Sequence, residues 1–130
     1  MSDVLVDSSV WIDFFRGDPR ARARLDVLLQ DDRAAVSGPI VAEVTSGART
    51  PAIFQQLRSR LGALTMLDAP EDVWDRAAAA RFALARQGTQ AHLVDLLVAL
   101  TASSAGHALL TRDRDFTAIA RVVPLDIEVF

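Results

Sequence analysis

The sequence predicts an α/β fold: a single domain over residues 1–130 with a central parallel sheet of about four to five short strands, covered by helices on both faces. Two observations support this. Short apolar segments alternate with longer segments of helical periodicity along the chain, which implies a parallel sheet between helical layers. No internal repeat, low-complexity run or Gly/Ser linker marks a domain boundary, and 130 residues suit one domain with a single core.

The first helices are predicted from their starting residues. Ser8 or Ser9 can cap a helix that follows the first strand, and Asp18-Pro19 and Thr50-Pro51 each place a capping side chain before a proline at the first helical position. The predicted strands are 4–6, 34–36, 64–67, 108–110 and 127–130. The predicted helices are 10–15, 19–30, 38–48, 51–61, 70–88, 93–105 and 113–121.

The helix predicted over 93–105 is apolar around much of its circumference, so we expect it to be central. Gly106 is expected to close it, because glycine readily adopts the left-handed conformation common after a helix. The aromatic residues Trp11, Phe14 and Phe15 fall at helical spacing in the first helix. Core packing is expected for at least two of them, although exposed aromatic rings there would suit a partner surface.

Composition excludes several classes of protein. Cysteine is absent, which rules out disulfides and thiolate metal sites. No apolar run approaches the ~20 residues of a membrane span, and the first residues lack the basic region of a secretory signal. We therefore expect a cytoplasmic protein without membrane association.

The charge does not by itself indicate a nucleic-acid binder. The net charge is −3, whereas typical nucleic-acid-binding domains are basic. All the basic residues are arginine, and base composition of the genome is the favoured explanation. Local patches of arginine matter more than the total.

The informative residues are carboxylates where an apolar pattern would otherwise continue. Asp7 directly follows the first predicted strand, and Asp113 and Asp115 follow the strand predicted over 108–110. In open parallel sheets this edge is where ligands bind. Glu43 and Asp95 each interrupt an apolar stretch of a predicted helix.

Each acid also has a purely structural interpretation. Asp7 could cap the next helix, Asp95 could favour a helix dipole, and Asp113 and Asp115 could be turn residues. A glutamate in an apolar turn, as at position 43, must face solvent, find a partner or bind something. Several acids in apolar contexts together favour one shared site.

Converging carboxylates cannot all stay ionised without a cation, because like charges repel more strongly as the local dielectric falls. His92 and His107 are the only histidines, so zinc is poorly supplied with ligands, whereas an all-oxygen site suits Mg²⁺ or Mn²⁺. His92 lies one turn before Asp95, but we favour an ordinary helix-start role for it and a loop position for His107. These residues point to metal-assisted phosphoryl chemistry.

Four motifs resemble those of PIN-domain ribonucleases, and most closely the VapC toxins of bacterial toxin–antitoxin pairs. The motifs are VDSSVWID at 6–13, VAEVTSGAR at 41–49, LVDLLVA at 93–99 and LLTRDRDF at 109–116. They occur in the family's order and cover essentially the whole chain. The resemblance implies a PIN-like α/β domain with an acidic pocket for Mg²⁺ or Mn²⁺ that cleaves RNA by water attack, leaving 3′-hydroxyl and 5′-phosphate ends.

The resemblance also implies roles for individual residues, with Asp7 and Asp95 as principal metal ligands. The positions that match are Asp7, Glu43, Asp95 and Asp113 for the acidic quartet, Asp115 for an additional acid, and Ser9 and Thr111 for pocket hydroxyls. One departure is the segment 89–94, where some relatives carry a basic residue before the third acid. That departure leaves open any substrate contact made there.

Partners follow from the same resemblance: an RNA substrate, a VapB-type antitoxin and a second copy of the chain in a homodimer. RNA phosphates would require local arginines despite the acidic total. The candidates are Arg16, Arg20, Arg112 and Arg114, although a solvated helix face is the commoner role of the first two.

Two other classes of function remain as alternatives. An aspartyl-phosphate phosphatase or receiver-like protein normally needs a lysine, which this chain lacks, and such phosphatases favour Asp-x-Asp where this chain has Asp7-Ser8-Ser9. A catalytically silent PIN-fold partner protein would be indicated by a missing carboxylate, but all four are present.

Overall fold

Five parallel strands form one sheet in the computed structural model, which describes residues 2–130. The strands are β1 (Val4–Val6), β2 (Ala34–Ser37), β3 (Thr65–Leu67), β4 (Ala108–Thr111) and β5 (Ile127–Val129). Their order across the sheet is β3-β2-β1-β4-β5, and every neighbouring pair is parallel. The predicted α/β fold with five short strands is therefore confirmed.

Seven helices connect the strands within the described residues. They are α1 (Ser8–Phe15), α2 (Pro19–Gln30), α3 (Gly38–Ser46), α4 (Pro51–Gly62), α5 (Val73–Arg86), α6 (Leu93–Ala105) and α7 (Phe116–Ile119). The main difference from the prediction is α7, which is a single turn instead of a helix over 113–121. The Asp115 amide donates to Oδ1 of Asp113 at 2.9 Å, and this turn delays the start of the helix. Smaller differences are α3, which ends at Ser46, and α5, which begins at Val73.

The predicted helix caps are confirmed at two of three positions. Asp18 accepts a hydrogen bond from the Ala21 amide at 3.0 Å, and Thr50 accepts one from the Ile53 amide at 3.1 Å. The prediction that Ser8 or Ser9 caps α1 is wrong. Both serines lie inside the helix, and the residue at its N-cap position is Asp7.

The core is formed by the two central strands and the helices packed on them. Leu5, Val6 and Leu109 are fully buried, and burial of such a side chain stabilises the fold by roughly 1.5–3 kcal/mol. Helix α6 is central as predicted, with Leu96 and Ala99 fully buried. Across residues 2–130, no helix has both the length and the apolar character needed to cross a membrane.

The strand order places a topological switch between β1 and β4. From β1 the chain moves outward through β2 to β3, and then returns to the other side of β1 for β4 and β5. Right-handed crossovers that run in opposite directions place their helices on opposite faces of the sheet, as the sequence predicted. The carboxyl ends of β1 and β4 therefore border the crevice where open α/β sheets bind ligands.

Candidate active site

Asp7 lies at the carboxyl end of β1 and is almost completely buried. Its Oδ2 accepts hydrogen bonds from Ser9 Oγ at 2.7 Å and from Thr111 Oγ1 at 2.9 Å. Although Asp7 occupies the N-cap position of α1, its side chain makes no capping hydrogen bond. The interpretation of Asp7 as a helix cap is therefore wrong, and its carboxylate is held towards the edge of β4.

The two hydroxyls that hold Asp7 are themselves oriented by backbone amides. The Asp113 amide donates to Thr111 Oγ1 at 2.9 Å, and the Arg112 amide donates to Ser9 Oγ at 3.1 Å. A hydroxyl that accepts from an amide keeps its one proton for another partner. Both protons are thereby directed at the Asp7 carboxylate, so the segment after β4 orients Asp7.

Asp95 lies in the first turn of α6 and is partly buried. Burial, and then the negative charges of Asp113 and Asp7, raise its pKa to about 6, while His92 opposes the shift. A helix N-terminus alone would favour the ionised form. Asp95 does lie in the first turn of α6, as the helix-dipole interpretation requires, but burial and the neighbouring acids outweigh that effect on its pKa.

Glu43 is on α3 and faces solvent, which was one of the three outcomes open for it. Partial burial followed by the charge of Asp7 raises its pKa, and the Ser8 hydroxyl acts in the opposite direction. Glu43 also raises the pKa of Asp95. Although the Glu43 side chain is exposed, its charge therefore interacts with the charges of Asp7 and Asp95.

Asp113 and Asp115 follow β4, as their sequence position predicted. Asp113 is partly buried, and its Oδ1 serves the turn by accepting from the Asp115 amide. Asp115 is exposed and lines a cavity of about 100 Å³ together with Asp95 and His92. Asp113 and Asp115 are therefore both turn residues and neighbours of the other acids.

The two histidines lie where the sequence predicted. His92 is the N-cap residue of α6, and His107 lies in the loop before β4.

The oxygen atoms of these acids fit a site for a divalent ion. Among residues 2–130, no three acidic or histidine side chains form a ready-made ligand cage. Mg²⁺ usually takes one or two protein carboxylates and keeps several waters, so such a cage is not required. None of the salt bridges found among the described residues involves these acids. Burial and the charges of neighbouring carboxylates raise the pKa values of Asp95 and Glu43. An all-oxygen cluster with uncompensated negative charge fits a divalent cation.

Comparison with known proteins identifies the family. The family model of the PIN domain matches residues 4–122. Ribonuclease VapC11 of Mycobacterium tuberculosis is 31% identical over 132 residues, with 98% of each chain covered. The chain belongs to the PIN-domain family, among the VapC ribonucleases. The resemblance inferred from the four motifs is therefore confirmed.

Solved structures show the same PIN fold. A chain in the DNA-bound VapBC structure from Salmonella typhimurium is 24% identical, with a TM-score of 0.79 and coverage of 99% of this chain and 98% of that one. A toxin–antitoxin complex from Klebsiella pneumoniae contains a chain that is 28% identical, with a TM-score of 0.73. That match covers 96% of this chain and all of the other. PIN ribonucleases generally use divalent metal ions, which agrees with the fit of the acidic cluster.

The four candidate RNA-contacting arginines of this PIN domain lie in different environments. Arg16, Arg20 and Arg114 are exposed. Arg112 is mostly buried. Its Nη1 donates to Asp13 Oδ2 at 3.0 Å and to Asp18 Oδ2 at 2.6 Å. Its Cζ lies 4.7 Å from the centroid of the Phe130 ring. Sequence reasoning did not foresee this cluster, because Asp13 and Asp18 lie about a hundred positions before Arg112 and no local pattern links them.

The aromatic residues of α1 pack largely as expected. Trp11 is buried, and its Nε1 donates to the Val6 carbonyl at 3.1 Å. Phe14 and Phe15 are partly buried against the core, and the Trp11 and Phe15 rings stack with centroids 6.0 Å apart. The Trp11 hydrogen bond ties α1 to the end of β1, directly before Asp7.

Proposed function

We propose that this chain is the toxin of a toxin–antitoxin pair and acts as a metal-dependent endoribonuclease on RNA phosphodiester bonds. The observation that carries the proposal is the group of neighbouring carboxylates at the switch point, where Asp95 and Glu43 have raised pKa values and form no salt bridge among the described residues. Membership of the VapC ribonucleases supports RNA as the substrate. We further propose that residues 1–130 form one PIN domain.

In this proposal Asp7 and Asp95 are the principal ligands of Mg²⁺ or Mn²⁺, and Glu43 and Asp113 complete the pocket directly or through water. Asp115 is an additional acid at its exposed side. When bound, the ion lowers the pKa of a water nucleophile and stabilises charge on the phosphate oxygens. Residues of the chain supply the orientation of these groups.

Ser9 and Thr111 act as supporting hydroxyls. Both donate to the same oxygen of Asp7, which keeps the carboxylate in one rotamer and leaves Oδ1 without a hydrogen bond from the described residues. A buried ligand held in this way needs little reorganisation when a cation binds.

Substrate and partners are proposed on the same basis. Arg16, Arg20 and Arg114 are exposed and would contact RNA phosphates. The toxin–antitoxin complex from Klebsiella pneumoniae supports an antitoxin as partner. We propose that this antitoxin is of the VapB type and that the toxin forms a homodimer. An RNA substrate would place the activity in the cytoplasm.

The test is cleavage of RNA by the purified protein in Mg²⁺ or Mn²⁺. We expect products with 3′-hydroxyl and 5′-phosphate ends, loss of activity with EDTA, and a fall of at least about 100-fold in Asp7→Asn and in Asp95→Asn, because each loses a charged ligand. Asp26→Asn, an exposed acid of α2, is the matched control and should keep full activity. Undiminished cleavage by either site variant would contradict the assignment.

The same experiment decides between this proposal and a catalytically silent partner protein. Full-length RNA after incubation with either ion and several RNA classes would favour the silent partner. An aspartyl-phosphate mechanism would instead leave a phosphoprotein labelled at Asp7. The absence of lysine argues against that mechanism.

A further inference from the structure

Arg112 connects the acidic pocket with the turn between α1 and α2. Its neighbours in sequence are Thr111, which donates to Asp7, and Asp113, one of the proposed acids. Its own amide donates to Ser9 Oγ at 3.1 Å. The Arg112 backbone is therefore one hydrogen bond away from a hydroxyl that holds Asp7.

The Arg112 side chain is held by groups from two other parts of the chain. One guanidinium nitrogen contacts Asp13 Oδ2 at 3.0 Å and Asp18 Oδ2 at 2.6 Å, and the guanidinium covers the ring of Phe130 at 4.7 Å. The side chain is only 21% exposed. Arginine suits this position because its planar, permanently charged group can pair with carboxylates and stack on a ring at once.

Two of these contacts also fix the surrounding elements. Asp18 caps α2 through the Ala21 amide, and the Phe130 amide donates to the Thr111 carbonyl at 3.3 Å. We define Arg112, Asp13, Asp18 and Phe130 as the arginine clamp. It joins the end of α1, the start of α2, the segment after β4 and the residue after β5.

We propose that Arg112 is a positioning residue of the nuclease site: the arginine clamp holds the segment after β4 so that its amides orient the Ser9 and Thr111 hydroxyls towards Asp7. This inference rests on the proposed nuclease function. It replaces direct RNA contact as the role of Arg112, because a guanidinium already paired with two carboxylates has little charge to offer a phosphate.

The two roles of Arg112 predict different kinetics. Loss of a phosphate contact would raise KM. It would also make the slope of the logarithm of the RNA-binding constant against the logarithm of the salt concentration shallower by about one. Loss of positioning would lower kcat and weaken metal binding while KM stays nearly constant, because groups that orient metal ligands act on affinity and rate. A purely structural role would lower the melting temperature alone.

The experiment compares Arg112→Ala, Arg112→Lys and Asp13→Asn with wild type, each measured well below its melting temperature. The readouts are kcat, KM, melting temperature and the affinity for Mn²⁺ without RNA, followed by electron paramagnetic resonance. Arg22→Ala and Asp26→Asn, exposed charges of α2, are the matched controls.

We expect Arg112→Ala to lower kcat and Mn²⁺ affinity by about 10–100-fold, with KM changed less than about threefold. Arg112→Lys should recover little, because lysine keeps the charge but lacks the planar group that lies over the Phe130 ring. Asp13→Asn should lower kcat by about tenfold. Removal of this negative charge would by itself strengthen RNA binding, so weaker RNA binding would not explain the fall in kcat. The double variant Ser9→Ala/Arg112→Ala should lose less than the product of the single losses, since both changes act through one hydroxyl.

The inference is overturned if Arg112→Ala raises KM with kcat unchanged, or if only its melting temperature falls. If Arg112→Ala does not fold, Asp13→Asn tests the inference instead, because asparagine preserves the shape of the side chain. An unchanged kcat and an unchanged Mn²⁺ affinity in Asp13→Asn would contradict the role of the arginine clamp. Failure of the nuclease proposal is distinguishable: wild type would then not cleave, or Asp7→Asn would cleave as well as wild type.

Discussion

Asp95 has a pKa of about 6 in the folded protein, against a usual value of 3.8, because burial and the neighbouring acids disfavour its charge. The folded state therefore binds this proton more tightly than the unfolded state. It follows that the contribution of Asp95 to stability becomes less favourable as pH rises from about 4 to about 6, and stays unfavourable above that range. The ionised Asp95 carboxylate therefore lowers the stability of the metal-free protein.

We predict that Asp95→Asn raises the melting temperature of the metal-free protein by several degrees at pH 7.5, and that the gain shrinks towards pH 4. Thermal unfolding in EDTA at a series of pH values measures this. Asp26→Asn, with an exposed side chain, should show no such pH-dependent gain. A difference that is the same at all pH values would indicate a steric cause and contradict the electrostatic account.

Single residues differ in how far their roles could be predicted. Asp7 was identified from its position directly after an apolar strand, but the sequence could not separate a ligand from a helix cap. The hydrogen bonds to Ser9 and Thr111 decide against the cap. Glu43 was expected to stand out by its apolar setting, yet it faces solvent, because the side of α3 that it occupies is open.

Secondary-structure elements were predicted best where a local chemical signal exists. Asp18-Pro19 and Thr50-Pro51 mark helix starts by capping chemistry alone, and both helices begin there. The turn after β4 was not separated from α7, because the carboxylate of Asp113 competes with helix formation for the following amide. Such competition depends on side-chain rotamers that a sequence pattern does not specify.

Gly106, which closes α6, has a φ of +71°, and a Cβ added there would meet no atom within 4 Å. We predict that Gly106→Ala destabilises the protein by about 1 kcal/mol, entirely through backbone conformation. The matched control is Gly62→Ala at the end of α4, which has equally open space without a positive φ and should stabilise by about 0.5 kcal/mol. Urea unfolding measures both, and equal effects would contradict the explanation.

At the scale of the whole molecule, the strand order brings the site together. The reversal between β1 and β4 places the ends of two strands, about a hundred residues apart in sequence, beside the start of α6. Acids from four separate segments thereby share one electrostatic environment, as the coupling of Asp95 to Asp113, Asp7 and Glu43 demonstrates. The net charge of −3 is partly a consequence of this cluster.

For the whole molecule we predict that expression without a partner arrests bacterial growth, and that co-expression of the cognate antitoxin restores it. Asp7→Asn should express at wild-type levels without arrest, because the fold persists while the proposed metal site loses a ligand. Colony counts and the amount of soluble protein measure the two effects. Growth arrest by Asp7→Asn would show that toxicity does not depend on RNA cleavage.

The sequence by itself determined the α/β class, the five strands, the capped starts of α2 and α4 and the motifs of the PIN family, because these depend on local periodicity, capping chemistry and residue order. Only the tertiary structure decided that Asp7 is held by two amide-oriented hydroxyls, that Glu43 is exposed, and that Arg112 is paired with Asp13 and Asp18. These outcomes depend on which segments pack side by side. Burial and charge coupling arise only once distant parts of the chain share one crevice.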